Sequence, residues 1–244
     1  MQKQHTSLRI YQRNRFFRAL QNFFLYWLKR KVNLEYVGQE NIPAGTSYVM
    51  VCNHETIVDG MLVQGGLTPE QLTDFHCLAG ADLATNYGLI GKIALYMGQA
   101  VPIDRHGNPL KGLYKAKDLL ESGHKGLLIF PEGTRSFDGR LSPMHGGAAL
   151  LVRNTGVPLI PVFIDGAYEF FNRYYTKPHF RDAISKKKLH IRVSFGKALD
   201  VSKCQRTKEI TQLFSQWFDN AFANKVVPRD FSKIPQKSLA DKER

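Results

Sequence analysis

The sequence predicts an α/β fold, with a largely parallel central sheet flanked by helices and an N-terminal amphipathic helix suited to a membrane surface. Three observations predict it. Short apolar, β-prone runs recur at residues 47–52, 75–79, 100–103, 126–130 and 159–164. Helical patterns such as 82–97 and 109–121 lie between them, and strands alternating with helices argue for parallel pairing. The segment 8–32 sets apolar residues at intervals of three and four, the spacing of one helical face.

In that first helix, Arg9, Arg13, Arg15, Arg18, Lys29, Arg30 and Lys31 alternate with Phe16, Phe17, Leu20, Phe23, Phe24, Trp27 and Leu28. Rings beside cations suit the lipid headgroup boundary. The plainer alternative is a helix that packs its aromatic face on the rest of the domain. Its longest uncharged stretch, residues 19–28, falls well short of the roughly 20 residues a spanning helix needs, and no later stretch reaches that length without a charge. No conventional transmembrane helix is expected. Arg13, Arg15 and Arg18 also break up what would be the apolar centre of a secretory signal.

Beyond the regular runs, residues 189–195 (LHIRVSF) alternate apolar and polar, as an edge or half-exposed strand does. Residues 207–222 read as a final amphipathic helix, and past residue 227 the chain turns Lys-, Pro- and Ser-rich like a loose tail. There is no internal repeat and no interior linker. The expected organisation is a membrane-associating helix over 1–32, one main domain over 33–227 and a tail over 228–244.

Lys and Arg number 34 against 21 Asp and Glu, a balance of +13, so an anionic partner is expected. Nucleic acid, an anionic lipid surface and a phosphorylated substrate all meet that description. No helix-turn-helix, zinc-ligand spacing or RNP-like aromatic motif accompanies the charge, so nucleic acid is not the expected partner. The three cysteines, Cys52, Cys77 and Cys204, are far apart and form no C-x-x-C pair. That pattern argues against a disulfide framework or a zinc site and fits a reducing compartment. No metal site is expected.

In parallel α/β sheets, sites form beyond the carboxyl ends of strands. Three polar clusters fall there: Asn53-His54, Asp104-Arg105 and residues 131–136 (PEGTRS). Imidazole is a suitable general base near neutral pH, and a carboxylate beside it fixes the tautomer. His54 and Asp59 meet only if His54 sits in the turn and Asp59 in the first turns of the next helix. Otherwise they are a surface histidine and a helix-start acid. There is no G-x-S-x-G elbow and no suitably flanked cysteine, so no acyl-enzyme is indicated and a substrate would supply the nucleophile. Residues 130–136 (FPEGTRS) offer phosphate an Arg fork, a Thr hydroxyl and a Gly that lets backbone N–H groups approach. The bland alternative is a polar turn, and the loop is not a Walker A sequence.

Taken together, these pieces resemble the glycerolipid (lysophospholipid) acyltransferase family, and within it the bacterial 1-acyl-sn-glycerol-3-phosphate acyltransferases. Asn53, His54 and Asp59 match its N-H-x4-D block, residues 98–105 (GQAVPIDR) the second and residues 130–136 the F-P-E-G-T-R-S block. Val157, Pro158, Pro161 and Val162 match the fourth. The resemblance implies that His54, held by Asp59, deprotonates the free hydroxyl of 1-acyl-sn-glycerol-3-phosphate. That oxygen then attacks the thioester of acyl-CoA or acyl carrier protein, giving phosphatidic acid without a cofactor. It implies substrate-binding roles for Asn53, Arg105, Glu132, Gly133, Thr134 and Arg135, and a place on the cytoplasmic face of the cell membrane.

The sequence departs from the family at two points. Val101-Pro102 stands where a bulkier pair is usual, and Met144-His145-Gly146-Gly147 stands where Phe-Lys-Lys-Gly is common. Two cations on the expected phosphate side are therefore missing. This keeps another acceptor open, such as a lyso-ornithine lipid. The remaining alternative is a non-catalytic basic protein on membrane or nucleic acid, which would leave both motifs without a purpose.

Overall fold

The computed structural model describes residues 9–104, 107–182 and 185–227. Among them, seven strands make one sheet: β1 (Asn33–Val37), β2 (Tyr48–Cys52), β3 (Phe75–Gly80), β4 (Val101–Ile103), β5 (Gly126–Ile129), β6 (Leu159–Asp165) and β7 (His190–Phe195). Their spatial order is β1-β7-β6-β2-β5-β3-β4. Every neighbouring pair is parallel except β6 with β7. The largely parallel sheet expected from the sequence is therefore present. β2, β5 and β6 hold its centre and are buried along their whole length. Strands covered on both faces need apolar residues at successive positions, which is why these segments read as continuous apolar runs.

The helices are α1 (Arg15–Lys31), α2 (Asp59–Gln64), α3 (Pro69–Thr73), α4 (Leu83–Asn86), α5 (Gly88–Met97), α6 (Pro109–Glu121), α7 (Gly147–Thr155), α8 (Ala167–Phe171) and α9 (Thr207–Ala223). Alternation along β2 divides the interior in two. Met50 and Cys52 join a cluster with Leu28 of α1, Leu62 of α2 and Phe170 of α8. Val49 and Val51 join another with Ala116 of α6, Leu151 of α7 and Phe214 of α9. Helices thus cover both faces of the sheet.

Several local features differ from the sequence expectation. The first helix starts at Arg15 rather than residue 8, because the Asn14 side chain caps it by accepting from the Phe17 N–H. The preceding Arg13 is buried instead of lying on a helix surface. Its guanidinium donates to Gln21 Oε1 at 3.0 Å, Gln64 Oε1 at 2.9 Å and Met97 O at 2.8 Å, and also to Leu72 O. Burial lowers its pKa to about 10. The helix's rings do not share one face. Phe24 and Trp27 pack on the core, whereas Phe16, Phe23 and Tyr26 are 67%, 67% and 57% exposed.

The helical pattern over 82–97 breaks at Tyr87-Gly88, where Gly88 takes φ +52° and separates α4 from α5. β7 is half-buried as its alternation suggests, but it is not an edge, because β1 pairs along it from Asn33↔His190 to Val37↔Ser194. Among the described residues no helix is long and apolar enough to cross a membrane. The tail over 228–244 lies outside the described residues.

Candidate active site

The chain leaves β2 at Cys52 and turns through Asn53, His54, Glu55 and Thr56 before α2 begins at Asp59. That turn folds around a single carboxylate. Asp59 Oδ2 lies 2.8 Å from His54 Nδ1 and accepts from the Glu55 N–H at 2.6 Å and the Thr56 N–H at 2.8 Å. Its Oδ1 accepts from the Thr56 hydroxyl at 2.7 Å. Asp59 is fully buried, and a buried carboxylate requires such donors to replace water. The His54–Asp59 contact occupies Nδ1 and leaves Nε2 as the ring nitrogen available to another partner. The His54 ring also stacks on Phe130 at 4.0 Å between centroids. Its plane is thus fixed from one edge and one face.

The loop after β5 meets this turn directly. The Ser136 N–H donates to His54 O at 2.7 Å. Glu132 bridges the two loops: Oε1 accepts from the His54 N–H at 2.8 Å and Oε2 from the Ser142 N–H at 2.8 Å. Burial pushes the Glu132 carboxyl up to about 7, against the pull of those two N–H donors, and the nearby Asp59 charge adds to the rise. Gly133 takes φ +70°, and a Cβ there would approach the His145 ring to 3.3 Å. Both the turn and the close packing favour glycine.

A cavity of about 910 Å³ opens between these loops and α4–α5. Polar residues His54, Glu132, Thr134, Arg135 and Arg173, with Gly133 beside them, are part of its lining. Apolar residues such as Met61, Leu78, Leu83, Leu95, Ile103 and Leu113 make up much of the rest. Arg135 Nη2 donates to the Tyr87 hydroxyl at 2.8 Å, which leaves further N–H groups on its fork. A histidine paired with a carboxylate, arginines and many apolar side chains on one cavity suit a substrate with an anionic head and a hydrocarbon tail.

The structure brings together His54, Asp59, Glu132, Gly133, Thr134 and Arg135. It places Asn53 differently from the sequence expectation. The Asn53 amide accepts from the Ile164 N–H at 2.7 Å and donates to Ile164 O at 2.8 Å, so it extends the β2–β6 pairing and does not line the cavity. Arg105 lies outside the described residues. Cavity residues that the sequence did not assign to the site include Arg173, whose guanidinium donates to Arg135 O at 3.0 Å and lies over the Phe137 ring, and His145. Arg173 belongs to no motif. His145 occupies the place where the family often carries a lysine, and that was its only signal.

A fold of this topology with a His–Asp pair and an F-P-E-G-T-R-S loop at one rim defines an acyltransferase-type site. A sequence model described as Acyltransferase matches residues 33–165, more than half of the chain, and the chain belongs to that family. A chloroplastic 1-acyl-sn-glycerol-3-phosphate acyltransferase of Brassica napus is 34% identical over 132 residues, covering 53% of this chain and 36% of that protein. The alpha form of the same enzyme from Mus musculus is 27% identical over 154 residues, covering 60% and 51%. The match thus spans about a third to a half of these curated relatives. The crystal structure of a 1-acyl-sn-glycerophosphate acyltransferase from Thermotoga maritima superposes with a TM-score of 0.61 at 20% identity, covering 84% of this chain and 78% of that one. That likeness is one of fold.

Proposed function

We propose that the chain transfers an acyl group from a thioester, acyl-CoA or acyl carrier protein, to the free hydroxyl of 1-acyl-sn-glycerol-3-phosphate, giving phosphatidic acid. The observation that carries this is the His54–Asp59 pair, held at 2.8 Å beside a cavity lined by many apolar side chains and by Arg135 and Arg173. The named activity of the relatives supports the same acceptor. Nε2 of His54 takes the hydroxyl proton as the oxygen bonds the thioester carbonyl carbon. The tetrahedral intermediate collapses, the C–S bond breaks, and the thiolate takes the proton from the imidazolium. One ester and one thiol result, the residues return to their starting state, and no acyl-enzyme forms.

In this scheme Arg135 and Arg173 receive the acceptor's phosphate, with Thr134 and the Gly133 turn beside them. Arg105 is assigned the same role by resemblance alone. Asn53 and Glu132 are positioning residues: they hold the His54 turn against β6 and the 130–142 loop. Arg173 and His145 supply cationic or polarisable groups in the cavity where the family's lysine pair is missing, which favours the phosphate acceptor over an uncharged one.

We further propose that the enzyme works at the cytoplasmic face of a membrane, resting on anionic lipid through α1. The exposed Phe16, Phe23 and Tyr26 rings support this. Replacing Phe23 and Tyr26 by Ser should weaken vesicle binding, and unchanged binding would remove α1 from that role.

The direct test follows phosphatidic acid and free thiol together, with each donor and a panel of acceptors. Stoichiometric ester and thiol from lysophosphatidate is the expected result. No product with either donor would overturn the assignment. Preferred turnover of lyso-ornithine lipid would move it to the alternative acceptor.

A further inference from the structure

A second concave site lies away from the catalytic cavity, between the end of α1 and the segments that meet at the Arg181↔Lys188 bridge. Arg30, Lys31, His179, Phe180, Arg181 and Lys188 line it, and none of them lines the catalytic cavity. Among the described residues no carboxylate lines this cleft. Four permanent cations in one cleft repel one another, an arrangement that an anion relieves. The cleft is also built rather than incidental. Lys188 Nζ donates to Arg30 O at 2.8 Å, Arg181 Nη1 donates to Lys186 O at 2.8 Å, and Phe180 meets Trp27 of α1 edge-on at 5.2 Å.

The neighbouring surface indicates which anion. On α1, positions 16, 19, 23, 26 and 30 fall within an arc of roughly 80° at 3.6 residues per turn. They are Phe16, Ala19, Phe23, Tyr26 and Arg30, all exposed, on the side opposite buried Gln21, Leu25 and Leu28. The Arg30 guanidinium lies over the Tyr26 ring, 4.6 Å from its centroid. The aromatic stripe therefore runs directly into the basic cleft. Rings that settle at the headgroup level and cations one turn further on match a phospholipid leaflet, whereas an acidic protein would need no aromatic stripe.

We propose that this cleft is a headgroup site for the phosphate of an anionic phospholipid, distinct from the acceptor site. It rests on the proposal that α1 lies on the membrane. Arg30, Lys31, Arg181 and Lys188 hold the phosphate oxygens while the α1 rings enter the leaflet beside it. A site at the end of the stripe fixes the protein's rotation on the surface, which diffuse charge does not do.

Sedimentation of the full chain with vesicles tests this, using phosphatidylcholine alone and phosphatidylcholine with phosphatidylglycerol. Lys31→Gln with Arg181→Gln should lower affinity for the anionic vesicles about 25-fold, roughly fivefold for each cation. The control pair Lys203→Gln with Lys208→Gln removes the same charge near α9, which packs on the other face of the sheet, and should change binding by less than about twofold. Arg30→Gln with Lys31→Gln leaves Arg181 and Lys188 unchanged and carries the same expectation, should the Arg181 change disturb folding. Equal losses for cleft and control pairs would reduce the effect to diffuse charge and overturn the site. Intact binding of the anionic vesicles by the cleft variant would overturn it as well. No acyl donor is present in the measurement, so failure of the transferase assignment leaves its result standing.

Discussion

In the proposed transfer His54 acts through Nε2, and the hydrogen bond between Nδ1 and Asp59 is what orients the ring for it. Asp59→Asn would place an amide, itself a donor, against Nδ1 and would leave one carboxylate oxygen's worth of acceptors missing for the Glu55 and Thr56 N–H groups. The expected outcome is a loss of at least about a hundredfold in kcat with little change in KM, read from initial rates. Glu132 gives a prediction in pH. The folded chain holds its proton up to about 7, against an ordinary value of 4.5. The stability linked to that proton is complete below the lower value and is lost as pH rises through the upper one. The unfolding midpoint of the native chain relative to Glu132→Gln should therefore fall across this window, and a constant difference would show that Glu132 does not titrate there. The His54–Asp59 contact was legible because a turn followed by a helix start is a short-range event. The roles of Asn53 and Glu132 were not legible. Their partners, Ile164 and Ser142, are set by strand order and loop crossing, which residue type does not encode.

Among the elements, α1 shows how tertiary packing overrides a helical pattern. Its buried stripe is Gln21, Leu25 and Leu28, so the helix contributes to the core rather than resting on it. Removing residues 1–32 would strip those side chains and Arg13 from their sites, and loss of vesicle binding by that truncation would not separate docking from unfolding. Point changes on the exposed stripe do separate them. Arg13→Met would leave the Gln21 and Gln64 carbonyl oxygens and the Met97 and Leu72 carbonyls without their charged donor. A stability loss of about 3 kcal/mol is expected, measured by chemical denaturation. β1 escaped the sequence because Asn33 and Glu35 interrupt it and none of its residues is buried. β7 then looked like an edge, since the strand that covers it was not visible.

For the whole molecule, parallel pairing carries β2 and β5 to the same rim, and the two motifs 71 or more residues apart in sequence meet through the Ser136–His54 hydrogen bond. That convergence was legible once the runs were recognised as parallel strands. Arg173 was not, because it arrives from beyond α8 and reaches the cavity only after β6 crosses beside β2. Arg173→Ala should raise KM for lysophosphatidate by about tenfold while leaving a phosphate-free acceptor unaffected, as expected for one charge-assisted phosphate contact. Equal effects on both acceptors would place Arg173 in the fold of the loop instead. The measurement that bears most directly on the central claim compares the native chain with His54→Ala for phosphatidic acid formation from lysophosphatidate and an acyl thioester. A fall of about a hundredfold or more in kcat, with thiol release falling in step and the unfolding midpoint unchanged, is the predicted result. Turnover by His54→Ala close to that of the native chain would contradict a histidine base at this rim.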